Sequence, residues 1–150
     1  MNKYNDIKIG SITYRGTTFD IMYRPSLKDT VCLSEWRIDK YANLIVGDIF
    51  RNNIHNEDIK PLIYHELYHL YFKSTNEFQA DRFACSIVGY DKFEECINKY
   101  CRKYLCDLLK YRSSKSIYNS YCLYRLNAVR NVAQSISDIE IYKSYNLELI

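Results

Sequence analysis

The chain has 150 residues, 47% hydrophobic and 26% charged, with a net charge of +3. That length buries a sizeable core without staples, so one domain over residues 1–150 is expected. The small charge, spread over scattered lysines and arginines, argues against nucleic acid as a ligand, and no apolar run has the length of a membrane span or the form of a secretory leader. A cytoplasmic protein is the default expectation. The six cysteines include no Cys-x-x-Cys pair, and Cys96, Cys101 and Cys106 do not share one α-helix face, so reduced structural thiols are expected.

Residues 7–14 and 18–23 alternate in polarity around Arg15-Gly16-Thr17, which predicts a β-hairpin. Residues 31–38 and 43–49 predict two further strands, with Leu44-Ile45-Val46 leading towards the next helix. Ile59, Leu62, Ile63, Leu67 and Leu70 recur at helical spacing, with Asp58 as the expected N-cap and Pro61 in the first turn. Ser74 to Asn76 read as a turn, and helical periodicity restarts at Glu77. A third helix is expected over about 91–112, with Phe93, Ile97, Tyr100, Tyr104, Leu105, Leu108 and Leu109 on one face, and a fourth over about 117–136. The fold class is therefore α+β: a small, antiparallel-rich N-terminal sheet, then four helices.

The chemistry is concentrated in His65-Glu66-Leu67-Tyr68-His69, which holds two of only three histidines; the third, His55, precedes the helix. Positions i and i+4 of a helix lie on one face, so both imidazoles can close on one zinc ion. Glu66 is close enough to hold the water that completes the coordination. The next helix places Glu77, Ala80, Asp81 and Ala84 on one face, and the two alanines allow close approach to the histidine helix. One carboxylate can then reach the metal and a second can stand behind it. Glu77 has two readings. Ser74-x-x-Glu77 matches a capping box, whereas Asn76-x-x-Gln79 is a competing box that leaves Glu77 free as a ligand.

HELYH followed by EFQADRFA resembles the gluzincin metallopeptidases, with His-Glu-x-x-His and a downstream Glu-x-x-x-Asp. It is most similar to the branch that includes the CAAX-prenyl-protease-like enzymes and the small soluble minigluzincins. It also resembles the phage repressor-cleaving metallopeptidases, which share an acidic motif followed by Phe-Ala. The likeness covers residues 59–90, and the gap between His69 and Glu77 is much shorter than in the large membrane members. The resemblance implies a zincin-like fold and a zinc peptidase acting on a peptide or protein, with His65, His69 and Glu77 as ligands. It implies Glu66 as general base and acid, acting on a water activated by zinc, and Asp81 as the residue that orients a ligand histidine. In zincins the strand before the histidine helix is the edge strand that pairs with an extended substrate, which here is Leu44-Ile45-Val46. Larger zincins carry a long helix before that strand, and this sequence has none there. Residues 121–129 faintly resemble the family's C-terminal segment, which makes Tyr124 or Arg125 the candidate stabiliser of the tetrahedral intermediate.

Two other functions use the same motif. Peptide deformylase takes an upstream cysteine as third ligand, and Val31-Cys32-Leu33-Ser34 has some likeness to its cysteine segment, although the glycine-rich loop is absent. A non-catalytic zinc domain that binds a partner would need no base at Glu66. In the tail, Ile139, Ile141, Tyr145, Leu147 and Leu149 alternate with Glu140, Tyr142, Asn146 and Glu148. This predicts a strand with two readings: the tail extends the sheet, or a last helix, away from the site, or, as the resemblance to small gluzincins whose tail occupies the cleft allows, residues 138–150 lie against 43–49 and restrict substrate entry.

Overall fold

The computed structural model describes residues 5–25, 27, 32–37, 41–102, 123–130 and 145–149. Strand β1 (Ile7–Tyr14) turns through Arg15 and Gly16 into β2 (Thr17–Tyr23). Both turn residues have positive φ, 49° and 82°, the requirement of a two-residue hairpin whose twist matches its strands. Gly16 meets that requirement without the steric cost a side chain adds. The chain then forms β3 (Cys32–Arg37) and β4 (Tyr41–Val46).

The sheet is mixed, in the order β3-β4-β2-β1-β5, where β5 is Tyr145–Leu149. Three pairings are antiparallel, and β2–β4 is parallel. So β4 is not the edge strand expected from the sequence. It inserts between β2 and β3, and its backbone groups pair on both sides. Strand order is a long-range property that a local pattern does not carry. The edge on that side is β3.

Over 145–149 the tail takes the first of its two readings and extends the sheet. Strand β5 pairs with β1, with Gly10 opposite Leu149, so its described residues lie at the far edge from β3 rather than against 43–49. Gly10 permits this approach: a Cβ there would stand 2.4 Å from the Glu148 carbonyl oxygen. Residues 138–144 and 150 of the expected strand lie outside the described residues.

A helix the sequence reading missed, α1 (Asp48–Asn52), follows Gly47, so residue Ile49 is helical rather than the end of a strand. A 3-10 turn (Glu57–Ile59) leads into α2 (Lys60–Phe72). Asp58 does not cap α2. Its carboxylate accepts from Lys99 Nζ and Tyr100 Oη, both at 2.6 Å, partners more than 40 residues downstream. Next come α3 (Glu77–Val88) and α4 (Tyr90–Cys96), and α4 runs on into a π-helical turn (Ile97–Arg102). Residues 123–130 form α5, within the span expected for the fourth helix; 103–112 and the rest of 117–136 lie outside the described residues.

Helix α2 is the centre of the molecule. Leu62, Ile63, Tyr64, Leu67 and Leu70 are all buried, and the helix packs against α3, β3 and β4. Ile12, Tyr14, Phe19, Ile21, Leu44 and Val46 face it from the sheet as one core. Tyr14 packs edge-on against Tyr71 and Phe83, with ring centroids at 4.6 and 5.5 Å. Each such pair adds about 0.5–1.5 kcal/mol beyond the area it buries. This packing fixes α2 and α3 against each other. Among the described residues, no helix is long and apolar enough to cross a membrane.

Candidate metal centre

His65 and His69 lie one turn apart on α2 and are 5% and 6% exposed. Helix α2 ends at Lys73, which takes the left-handed conformation (φ 50°, ψ 48°) while its N–H bonds the His69 carbonyl. The turn that follows serves two purposes. It reverses the chain into α3, and the Ser74 carbonyl accepts a hydrogen bond from His69 Nδ1 at 2.6 Å.

At the start of α3, Asn76 is the N-cap, and its side chain accepts from Gln79 N at 3.0 Å. Ser74 Oγ accepts from Asn76 N at 3.1 Å. Of the two capping readings, the Asn76–Gln79 one is therefore observed, and Glu77 is free of cap duty. Its carboxylate straddles the histidines: Oε2 is 3.1 Å from His65 Nε2 and Oε1 is 2.9 Å from His69 Nε2. The two Nε2 atoms are 3.1 Å apart.

These three residues form a group that could hold a metal ion. The ligand set of a tetrahedral ion bound at about 2.0–2.1 Å has edges of about 3.3–3.4 Å. The observed separations of 2.9–3.1 Å fall a few tenths of an ångström short of that. The tautomers fit as well. A carbonyl and a carboxylate can only accept, so His69 Nδ1 and His65 Nδ1 carry their protons outward and leave Nε2 lone pairs facing inward. Three electron-rich atoms then converge, and they require a cation or a proton between them. The acid–base balance agrees. Burial pulls His65 down, but hydrogen bonds to Asp81 and Glu77 outweigh it and raise the imidazole to about 9. The hydrogen bonds from His65 and His69 hold Glu77 far below the usual carboxylate range.

Asp81 is 2% exposed, and its Oδ1 accepts from His65 Nδ1 at 2.7 Å. It stands behind His65, on the side away from Nε2. Glu66 has a side chain only 14% exposed, with Oε1 4.0 Å from His65 Nε2. By contrast, the Glu77 side chain is 56% exposed, so the cluster opens to solvent on that side.

The structure does not aim Arg125 at the convergent ligand atoms. Its Nε and Nη2 donate to Asp81 Oδ2 and Oδ1 at 2.9 and 2.7 Å, on the Nδ1 side of His65 and away from Nε2. Tyr124, its neighbour on α5, is 71% exposed. Cys32 opens β3 opposite Val46, and among the described residues the trio is completed by Glu77.

The sequence did not reveal two contacts, the Ser74 carbonyl on His69 and the Arg125 guanidinium on Asp81. No side-chain signal marks the Ser74 carbonyl, because any residue supplies one. Arg125 was already a candidate from its segment, and its place one turn before the buried Val129 sets it on the inner face of α5, but nothing in the sequence names Asp81 as its partner. No protein-family model matches the chain, and neither a curated protein nor a solved structure does.

Proposed function

We propose that this protein is a zinc-dependent peptidase of zincin-like fold, with His65, His69 and Glu77 as ligands and Glu66 as the proton-transfer group. The observation that carries this reading is the place of Glu66. It follows the first ligand on α2, its side chain is largely shielded from water, and Oε1 lies 4.0 Å from His65 Nε2. A site that only holds a metal has no use for a carboxylate there.

A zinc ion, when bound, supplies Lewis-acid activation of water and of a carbonyl oxygen. Glu66 takes the proton of the attacking water and returns it to the leaving amine. Asp81 and the Ser74 carbonyl hold the two imidazoles in the tautomer that keeps Nε2 available. The exposed side of Glu77 supports an open coordination position, which a catalytic site requires. Among the described residues β4 is the one strand partner of β3, so an extended peptide has the outer edge of β3 to pair with. Buried Cys85, Cys96 and Cys101, none of them in a disulfide, suit a reducing compartment, and the cytoplasm is our reading of location.

The test is Glu66→Gln. The variant is expected to retain one zinc per chain and to lose peptide hydrolysis by at least about 100-fold. Equal turnover in variant and wild type overturns the role of Glu66. A wild type that binds zinc and cleaves nothing across a broad peptide library establishes instead the non-catalytic, partner-binding reading.

A further inference from the structure

We infer that Arg125 is a positioning residue for the metal centre, fixing His65 through the carboxylate of Asp81. The inference rests on reading His65, His69 and Glu77 as a metal centre, and it needs nothing of the hydrolytic step.

Asp81 Oδ1 is shared. It accepts from His65 Nδ1 and from Arg125 Nη2, each at 2.7 Å, while Oδ2 accepts from Arg125 Nε at 2.9 Å. The carboxylate torsion of an aspartate is soft, so a hydrogen bond to one oxygen leaves its plane free to turn. A guanidinium bonding both oxygens removes that freedom, because its N–H groups are fixed in one plane. Oδ1 is thereby aimed at Nδ1, and the His65 ring is set with Nε2 towards Glu77. Arg125 also balances the charge of a carboxylate whose side chain is 3% exposed. The arginine is itself held, with its side chain 10% exposed and Nη1 3.9 Å from Cys101 Sγ.

The series Arg125–Asp81–His65 crosses from α5 through α3 to α2. It spans 44 residues between the first two members and 16 between the last two. The segment after the motif helices therefore contributes to the site without touching the ligand atoms. Losing a group that orients a ligand histidine lowers metal affinity about 10–100-fold.

The experiment measures zinc affinity by competition with a chromogenic chelator, and the visible bands of the cobalt-substituted protein, for the full chain and its variants. Arg125→Met is expected to weaken zinc about 10–100-fold and to alter the cobalt bands. Arg125→Lys keeps the charge but loses the fork, and is expected to recover part of the affinity. In an Asp81→Asn background, Arg125→Met is expected to add less than about twofold, because both act through one contact. A folded Arg125→Met protein with wild-type affinity and unchanged bands overturns the inference. So does an equal loss in both backgrounds. Should Arg125→Met fail to fold, Arg125→Lys decides: wild-type affinity and bands overturn the inference, and a partial loss with altered bands supports it. A wild type that binds no zinc overturns the metal centre itself, and this inference with it.

Discussion

Two buried arginine–aspartate forks among the described residues share one chemistry and have different consequences. Arg24 donates to Asp6 from Nε and Nη2, both at 2.9 Å, with side chains 7% and 12% exposed. Arg125 grips Asp81 in the same way, at 2.9 and 2.7 Å. The difference lies in the next contact. The Arg24 backbone bonds the Val46 carbonyl, so that fork ties the segment before β1 to the ends of β2 and β4. Asp81 passes its orientation to an imidazole. A buried ion pair is weak evidence of function by itself; what the pair holds in place decides its role.

Asp6→Ala and Asp81→Ala break this comparison most directly. Each removes the carboxylate that a largely buried guanidinium grips, which costs about 3 kcal/mol of unfolding free energy. Denaturant titration should show comparable losses for both. Zinc affinity should separate them: within about twofold of wild type for Asp6→Ala, and weaker by about 10–100-fold for Asp81→Ala. If Asp6→Ala loosens zinc as much as Asp81→Ala, the two forks are not functionally distinct.

The same contrast explains what the sequence revealed. His65 and His69 are neighbours because a helix makes them so, and a spacing of four is enough to say it. Arg15-Gly16 is similarly local, since the turn needs positive φ at both residues and glycine supplies one of them readily. Asp58 misled because its helix-start position is local, whereas Lys99 and Tyr100 reach it from 41 and 42 residues away. The position of β4 between β2 and β3, and of β5 beside β1, depends on strand order, which no single segment encodes. Arg125 was recognised as a candidate from its segment, but its partner Asp81 was visible only after folding.

A smaller effect is expected at the far edge of the sheet. Gly10→Ala drives a Cβ into the Glu148 carbonyl, at 2.4 Å, so β5 must shift or detach. The expected cost is about 1–3 kcal/mol. Amide exchange should quicken in 145–149, while zinc affinity holds, because β5 supplies no member of the His65–His69–Glu77 group. Loss of zinc in this variant would show that the far edge and the metal centre are coupled.

The smallest effect sharpens the comparison at the turn between α2 and α3. Lys73 holds φ 50°, ψ 48°, a left-handed conformation that costs a side chain about 1–2 kcal/mol relative to the right-handed one. Glycine adopts it freely, but an unfolded chain with glycine has more entropy to lose, which takes back about 0.5–1 kcal/mol. Lys73→Gly should therefore stabilise the protein by up to about 1 kcal/mol. The backbone path to Ser74 is preserved, so the carbonyl that accepts from His69 Nδ1 stays in place and zinc affinity should stay within about twofold. Lys73→Val should do the reverse, because a β-branched side chain tolerates this conformation worst. To relieve it the turn must open, moving the Ser74 carbonyl away from His69. Weaker zinc binding in Lys73→Val but not in Lys73→Gly would tie metal affinity to the shape of the turn. Equal zinc affinity in both would show that the His69 ring is held by something other than the Ser74 carbonyl.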